Sequence, residues 1–546
     1  MDTDPVLDDV MRQLGDFGPY QLRQHLLHVL TSFLAGIHML SLHFVAPTPD
    51  HRCYIEQVDG GGESLDALSK YIPLNKNGDL DSCLKYDGIG PNHTVVTCDG
   101  HYFYNTTYFP SSRVIDWDLV CDRRWMRAFL QSTYMLGVGL GAYILGSLAD
   151  SMGRKPILYL SGILQLVFGI ICAFMPYYSL LAVSLFFYGA FGSGGAYVTG
   201  FVLSMELVGA SKRTVCGTAF SFTFALGVML VALWAYLIPN FQILQVVFAL
   251  HSCLLIAHWC IVDESIRWLW GQNRKKEALE IAQKGVEVNG KYFVNHYQDA
   301  LSQNPEVITS SAGSTQKEEA AGGMLNMFKH PNLRYRALNV AYNWFANSLV
   351  YYGLSFNSGT LPGNPFFIFF LNGLAELPGY AIVIGLVDRT GRRSLSSFLL
   401  FVGGFSCVLI AYMSKGMLVT TIAMIAKIAV SGSFAIIYNY TAELFPTVVR
   451  NSAVGLSSIA ARTSGMLTPQ IILLDSIGKE LPSVIFGVVA MLAAFFALFL
   501  PETLNKEMPQ TLEDGENFGR GDTAFRTMWR FITRKKDPAD ALTRLR

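Results

Sequence analysis

Three ionisable side chains lie inside long apolar runs of this sequence: Glu376, Lys427 and Arg462. If these runs cross a bilayer, each buried charge costs at least about 2.5–3.5 kcal/mol and needs a reason to be there. An arginine can bind a carboxylate through two parallel hydrogen bonds, and a low dielectric strengthens that contact. We therefore predict that Arg462 binds a carboxylate. The alternative is a permanent ion pair between Arg462 and Glu376 that only stabilises packing.

The depth of Arg462 and Glu376 in the membrane follows from charged residues at the ends of the same apolar runs. Arg462 lies twelve residues after Arg450, and Glu376 lies twelve residues before Asp388. At the helical rise, both would lie about 18 Å from one membrane surface, near the middle of an apolar layer about 30 Å thick. A ligand bound at the midplane would meet both side chains.

Aromatic residues accompany these charges. Tyr380 follows Glu376 by four residues and therefore shares its helical face. Aromatic faces can bind an ammonium group, and we predict this role for Tyr351, Tyr352 and Tyr236. For each of them, ordinary packing is the alternative.

Polar residues recur at every fourth position of the run that holds Tyr351. Because lipid cannot satisfy polar groups, we expect this stripe to face a central cavity. Lys427 would lie about 24 Å from the Glu443 end of its own run, where it could snorkel outward or attract anions. The stripe consists of Asn343, Asn347, Tyr351 and Ser355. The predicted substrate-binding residues are Arg462, Glu376, Tyr380, Tyr351, Tyr352, Asn347, Tyr236 and Lys427.

A short charged loop occurs twice, at residues 146–155 and 385–393. Its charges and glycine match at a spacing of 238 residues, and a second charged pair recurs at 237. This repeat indicates two halves of the same topology. We interpret the charges as cytoplasmic latches between the halves that pair in one conformation and separate in another; a simple topogenic patch is the alternative. The members are Asp150, Gly153, Arg154, Lys155, Glu206 and Arg213, matched by Asp388, Gly391, Arg392, Arg393, Glu443 and Arg450.

Composition indicates a protein that crosses a membrane many times. Of 546 residues, 51% are hydrophobic and 15% charged, which is too apolar for a soluble fold of this length. Equal numbers of basic and acidic residues, 41 of each, argue against a nucleic-acid partner. Runs of bilayer length predict twelve helices: 26–46, 129–148, 157–175, 180–203, 216–238, 242–262, 337–358, 366–387, 395–413, 418–440, 452–474 and 484–500.

The predicted organisation is all-α, with two six-helix halves at 26–262 and 333–501. The basic loops place one side in the cytoplasm by the positive-inside rule, together with both termini. The other predicted segments are an N-terminal segment 1–25, an extracellular loop 47–125 within the first half, a linker 263–332 and a tail 502–546. Within the tail, Arg526, Arg530 and Arg534 suit a helix on the anionic inner leaflet or a solvated tail.

The extracellular loop carries the marks of an oxidising compartment. Cys53, Cys83, Cys98 and Cys121 suggest two disulfides, with three connectivities open. The sequons at Asn92 and Asn105 predict glycosylation. A third sequon, at Asn439, lies at the predicted cytoplasmic end of its run and should stay unmodified.

The repeated loops, of the form D-x-x-G-R-[K/R], resemble the hallmark of the major facilitator superfamily. P-D-H-R-C at 49–53, E-S-I-R-W-L at 264–269, Y-T-A-E-L-F-P-T-V-V-R-N at 440–451 and P-E-T at 501–503 resemble the organic cation, carnitine and organic anion transporter family. This resemblance covers nearly the whole chain. It implies a plasma-membrane transporter of small organic ions that works by alternating access.

The resemblance also bears on the charge of the substrate. In this family, cation-selective members tend to carry an acid at the position of Arg462, whereas anion and carnitine transporters carry an arginine. Anion-type members usually carry a lysine at the position of Tyr380, so the tyrosine looks more like carnitine-type members. The prediction is a carboxylate-bearing zwitterion, carnitine-like or amino-acid-derived, or an organic anion. An organic cation transporter, a sugar-porter-like carrier and a non-transporting receptor are the alternatives.

Enzymatic signatures are absent: the sequence holds no G-x-x-x-x-G-K-[S/T], H-E-x-x-H or G-x-S-x-G. We therefore expect no catalytic residues, no metal and no cofactor. Coupling to sodium, to protons or to a counter-substrate stays open. The expected partners are a small organic ion and the bilayer, and the expected functional unit is a monomer.

Overall fold

The computed structural model describes residues 5–61, 64–75, 78–293, 327–413, 416–506, 508–520 and 522. The second part of the predicted linker, 294–326, and the predicted basic helix of the tail lie outside these residues.

Twelve helical spans lie within the described chain, six before the linker and six after it, as the apolar runs predicted. Each helix begins one to seven residues before its predicted start, because helices begin in the polar boundary where hydropathy is low, and several end before the predicted end. Spans 1–6 are Pro19–Leu40, Arg124–Met152, Arg154–Phe174, Tyr178–Leu207 (with a π-helical segment, Ala190–Ala196), Arg213–Leu237, and Phe241–Leu250 with Ser252–Ile256. Spans 7–12 are Pro331–Phe356, Pro365–Leu374 with Glu376–Thr390, Arg392–Tyr412, Met417–Leu444, Thr447–Ile472 and Leu481–Ala497.

Spans 7 and 11 differ from the others in polarity. By length and composition, eight helical stretches could cross a membrane, and Phe241–Ile256 and Leu481–Ala497 are shorter apolar helices. Spans 7 and 11 belong to neither group: span 7 carries the asparagine stripe and span 11 carries Arg462. Helices of this polarity require neighbours that satisfy their side chains, so both spans belong in the interior of the bundle.

The loop between spans 1 and 2 folds into a small disulfide-linked unit. Strand β1 (His51–Cys53) pairs antiparallel with β4 (Tyr102–Tyr104), and β2 (Leu84–Tyr86) pairs with β3 (Val95–Thr97). Two disulfides, Cys53–Cys98 and Cys83–Cys121, select one of the three open connectivities. Cys121 immediately precedes span 2, so the second disulfide ties the loop to the bundle.

Short helices cover the predicted cytoplasmic side. Helix Pro5–Leu14 packs its buried residues against helix Lys275–Val288 of the linker, and helix Ile266–Gly271 completes the same cluster. On the second half, Arg336 donates a hydrogen bond to Gly515 O (2.5 Å) of helix Leu512–Asn517. The N-terminal helix and the linker helices thus pack together on the first half, and the helix of the tail packs on the second half. The segment boundaries given above remain predictions.

The repeated charged loops fold alike. Arg154 forms ion pairs with Asp150 (2.9 Å) and Glu206 (3.1 Å). In the second half, Arg392 pairs with Asp388 (3.0 Å) and Glu443 (3.1 Å). The turn glycines, Gly153 and Gly391, adopt φ of 113° and 87°, a region that favours glycine.

Two further carboxylates complete these loops. Glu264 accepts hydrogen bonds from the backbone N–H groups of Arg154 (3.2 Å) and Lys155 (3.1 Å). Glu502 accepts in the same way from Arg392 (2.8 Å) and Arg393 (3.2 Å). Burial raises the pKa of Glu264, and these backbone donors oppose that effect by stabilising the ionised carboxylate.

The interpretation of these charges as contacts between halves needs correction. Arg213 donates to Val208 O (3.4 Å) and Arg450 to Phe445 O (3.3 Å), so neither pairs with the acid of its own set. Within the described residues, no ion pair joins the charged loops of one half to those of the other. In this conformation each set connects helix ends within its own half, and a role in switching stays a prediction.

The positions of the three sequons lead to a test of orientation. Asn92 and Asn105 are exposed on the disulfide-linked loop, and Asn439 is exposed near the opposite end of span 10. We expect Asn92→Gln and Asn105→Gln each to remove one glycan, seen as a gel shift that glycosidase treatment abolishes. Asn439→Gln is the matched control and should leave the pattern unchanged. A glycan on Asn439 would indicate the opposite orientation. The absence of a glycan on both Asn92 and Asn105 would contradict the extracellular position of the loop.

Candidate functional site

A buried acid–base cluster lies in the middle of the second half. Glu376 of span 8 forms an ion pair with Lys427 of span 10, with Nζ 3.1 Å from Oε1, and both side chains are 0% exposed. Tyr351 donates to Glu376 Oε1 (2.6 Å), and Tyr380 donates to Oε2 (2.8 Å). Lys427 also donates to Ser355 Oγ (2.7 Å) and lies over the Tyr351 ring, 3.4 Å from its centroid. Each charge is therefore neutralised and hydrogen-bonded inside the second half.

This cluster corrects several predictions. Lys427 does not snorkel outward, because its ammonium group bonds Glu376. The alternative of an ion pair between Arg462 and Glu376 is wrong in this conformation. Tyr351 and Tyr380 donate their hydroxyl groups to Glu376, and the ring face of Tyr351 is already occupied by Lys427.

The polar stripe of span 7 also points into the second half. Asn347 Nδ2 donates back to Asn343 O (2.9 Å), and Asn343 Nδ2 donates to Asn339 O (3.0 Å). Asn343 and Asn347 are fully buried, and their side-chain oxygens have no hydrogen-bond partner in the described structure. In this conformation Asn347 therefore lines no open cavity, and its assignment to the substrate site stays a prediction.

Arg462 has a different environment, at the boundary between the halves. It is partly exposed, and a Cβ on Gly139 of span 2 would lie 3.4 Å from Arg462 Cβ. Within the described residues, its side chain makes no hydrogen bond or ion pair with a carboxylate. Four tyrosines lie near its guanidinium group: Tyr134, Tyr197, Tyr352 and Tyr438. Arg462 is thus a cation among aromatic rings, left free to bind an anion.

The two halves meet closely between Arg462 and the disulfide-linked loop. Ser132 of span 2 donates to Met466 O (2.7 Å) and accepts from Gln470 Nε2 (3.2 Å). Tyr352 donates to Met39 Sδ (2.9 Å). These contacts form a closed layer on the side of Arg462 that faces the loop.

On the opposite side, four glycines of these helices have open space beside them. A Cβ added at any of the four would meet no atom within 4 Å; they are Gly146, Gly217, Gly385 and Gly455, on spans 2, 5, 8 and 11. The rings of Phe201 and Tyr438, 5.8 Å apart, join the two halves on this side.

Not every predicted residue lies near Arg462. Tyr236 is 64% exposed and packs on Phe366 near the loop side, so its assignment to the site is not supported by its position. Sequence reasoning missed Tyr134, Tyr197 and Tyr438. One signal was available for the last: Tyr438 follows Phe201 by 237 residues, the spacing that also relates Glu206 to Glu443.

The fold is that of the major facilitator superfamily of membrane transporters. The structure superposes on the xylose transporter XylE from E. coli, solved in a partially occluded inward-open conformation, with a TM-score of 0.59. The match covers 90% of this chain and 100% of that chain, at 15% sequence identity. Residues 101–513 match the family described as "Sugar (and other) transporter".

Closer relatives narrow the class. The chain is 36% identical over 531 residues to the "Organic cation transporter protein" of Drosophila melanogaster, covering 94% of this chain and 95% of that protein. It is 30% identical over 545 residues to "Solute carrier family 22 member 3" of Mus musculus, covering 94% and 96%. The chain belongs to the organic ion transporter family of the major facilitator superfamily. It is a multi-pass membrane transporter of small organic ions, not an enzyme, and this class of transporter requires no cofactor.

The buried ion pair leads to a test of stability. Lys427→Met leaves Glu376 buried without its counter-charge, and breaking one partner of such a pair costs about 3–5 kcal/mol. The double variant Lys427→Met with Glu376→Gln removes both charges and should recover most of the loss. Thermal unfolding of the purified protein in nanodiscs measures both effects. A single variant as stable as the wild type, or a double variant without recovery, would contradict the pairing.

Proposed function

We propose that this protein is a plasma-membrane carrier of small carboxylate-bearing organic ions, zwitterions or anions, that works by alternating access. Arg462 binds the carboxylate, and the surrounding tyrosines contact the rest of the substrate. Both termini lie in the cytoplasm. The observation that carries the proposal is that Arg462 is a partly exposed cation with no carboxylate partner in the described structure, while Glu376 is already neutralised.

The contrast between these residues supports a preference for one sign of charge. A substrate cation would need an unpaired acid, and Glu376 is fully buried with its oxygens bonded to Lys427, Tyr351 and Tyr380. A substrate carboxylate would meet a guanidinium group away from bulk water, where charge-assisted hydrogen bonds are strong. An ammonium group on the same substrate could lie against the rings of Tyr352 and Tyr438.

Alternating access is supported by the asymmetry of the halves. They touch through Ser132, Met466 and Tyr352 on one side of Arg462, whereas glycines on the other side have open space beside them. Rocking about the layer that holds Arg462 would reverse this arrangement and expose the residue to the opposite side.

A second candidate is an organic cation carrier, which the name of the 36% identical relative favours. In that case Glu376 would have to leave Lys427 and bind the substrate. The two candidates predict opposite results for a substrate cation that lacks a carboxylate.

Uptake by cells that express the full chain tests these candidates with two radiolabelled probes, benzoate and tetraethylammonium. We expect benzoate uptake, and we expect Arg462→Ala to raise its KM at least about tenfold, because a charge-assisted hydrogen bond of about 1.5–3 kcal/mol is lost. Thr463→Ala, an exposed neighbour on the same helix, is the control, and surface biotinylation normalises expression.

Unchanged benzoate kinetics in Arg462→Ala would reject the role of Arg462. Tetraethylammonium uptake that survives Arg462→Ala and is lost in Glu376→Gln would favour the cation carrier instead.

A further inference from the structure

A cavity lies outside the closed layer, under the disulfide-linked loop. It has a volume of about 1090 Å³ and is lined by the loop, by the short helix Leu42–Val45 that follows span 1, and by the outer ends of spans 2, 7 and 11. We call it the outer vestibule. Its volume is large enough for a drug-sized organic ion.

The floor of the outer vestibule carries polar groups without partners. Gln131 and His43 are each 8% exposed, and Gln131 Nε2 and His43 Nδ1 have no hydrogen-bond partner in the described structure. A buried donor without a partner costs about 1–3 kcal/mol, which indicates that a ligand or water satisfies it.

Arg127 adds a positive charge to this floor. Its Nε donates to Ala46 O (2.6 Å), but within the described residues it has no carboxylate partner. The titratable groups near Arg127 are Arg124 and His43. Arg124 itself pairs with Asp475 across the two halves. The floor therefore holds one uncompensated cation beside the free amide donor of Gln131 and an unpartnered ring nitrogen of His43.

Acidic residues also line the vestibule, but in different places. Asp50, Asp79 and Asp122 are exposed at its rim, where solvent screens them. Asp475 is compensated by Arg124, although its Oδ1 has no hydrogen-bond partner in the described structure. An anionic group is thus favoured at the floor, and a cationic group is tolerated towards the rim.

We propose that Arg127, Gln131 and His43 form an outer carboxylate-binding site, separate from Arg462. Arg127 precedes Gly139, the span 2 residue beside Arg462, by twelve residues, so the two arginines lie about 18 Å apart along the helix. The contacts of Ser132 with Met466 and of Tyr352 with Met39 lie between them. The site would therefore receive carboxylates from the predicted extracellular side and capture substrate before the halves rock. The outer site rests on the proposed function, because both sites would bind the carboxylate of the same class of substrate.

Equilibrium binding of radiolabelled benzoate to the full chain in nanodiscs, in chloride-free gluconate buffer, tests this site. We expect two benzoate molecules per wild-type chain, one in Arg127→Gln, one in Arg462→Gln and none in the double variant. Arg123→Gln, which alters an exposed arginine outside the vestibule lining, is the matched control and should keep two.

The other possible counts of bound benzoate distinguish the outer site from the Arg462 site. One equivalent in the wild type that only Arg462→Gln removes, an unchanged count in Arg127→Gln, or no binding at all would overturn the outer site. One equivalent lost in Arg127→Gln but kept in Arg462→Gln would support the outer site and contradict the proposed function. Because Arg127→Gln also loses the bond to Ala46, Gln131→Leu provides a second variant, expected to weaken the outer equivalent several-fold without affecting the inner one.

Discussion

The cost of an uncompensated charge in an apolar interior explains the arrangement of the second half. Glu376 and Lys427 can both be fully buried because each is the other's counter-charge and because Tyr351, Tyr380 and Ser355 satisfy their remaining hydrogen bonds. Arg462 lacks such a partner and lies instead where the halves meet, partly exposed. The same constraint thus divides the three charges into an internal pair and one free cation, and the free cation is the one available to a ligand.

The internal repeat relates the charged loops of the two halves. It does not extend to the charges buried in the second half. The loops around Arg154 and Arg392 form equivalent ion pairs, and the ring of Phe201 contacts that of its repeat counterpart, Tyr438, between the halves. At the repeat spacings, however, Val138 and Ala190 of the first half occupy the places of Glu376 and Lys427. Both are buried and apolar. Topology is therefore shared by the two halves, while recognition of charge is concentrated in the second.

The sequence predicted the spans well, because the length of a helix depends on local structure alone. It could not predict the direction in which a side chain points around the helix axis relative to neighbouring helices. Arg462 lies beside Gly139 of the first half, whereas Glu376 bonds Lys427. The same limit affected Asn347, which is fully buried, and Tyr236, which lies near the loop. The disulfide connectivity also depends on the folded loop and was open among three choices.

The central claim is that a carboxylate is what the free cation recognises. Glycine betaine and choline test it directly, because both carry a trimethylammonium group and only betaine carries a carboxylate. Their affinities for the purified wild-type chain can be compared by calorimetry under identical conditions. We expect betaine to bind at least about tenfold more tightly than choline, the ratio expected for one charge-assisted contact. Choline binding as tightly as betaine, or more tightly, would contradict it.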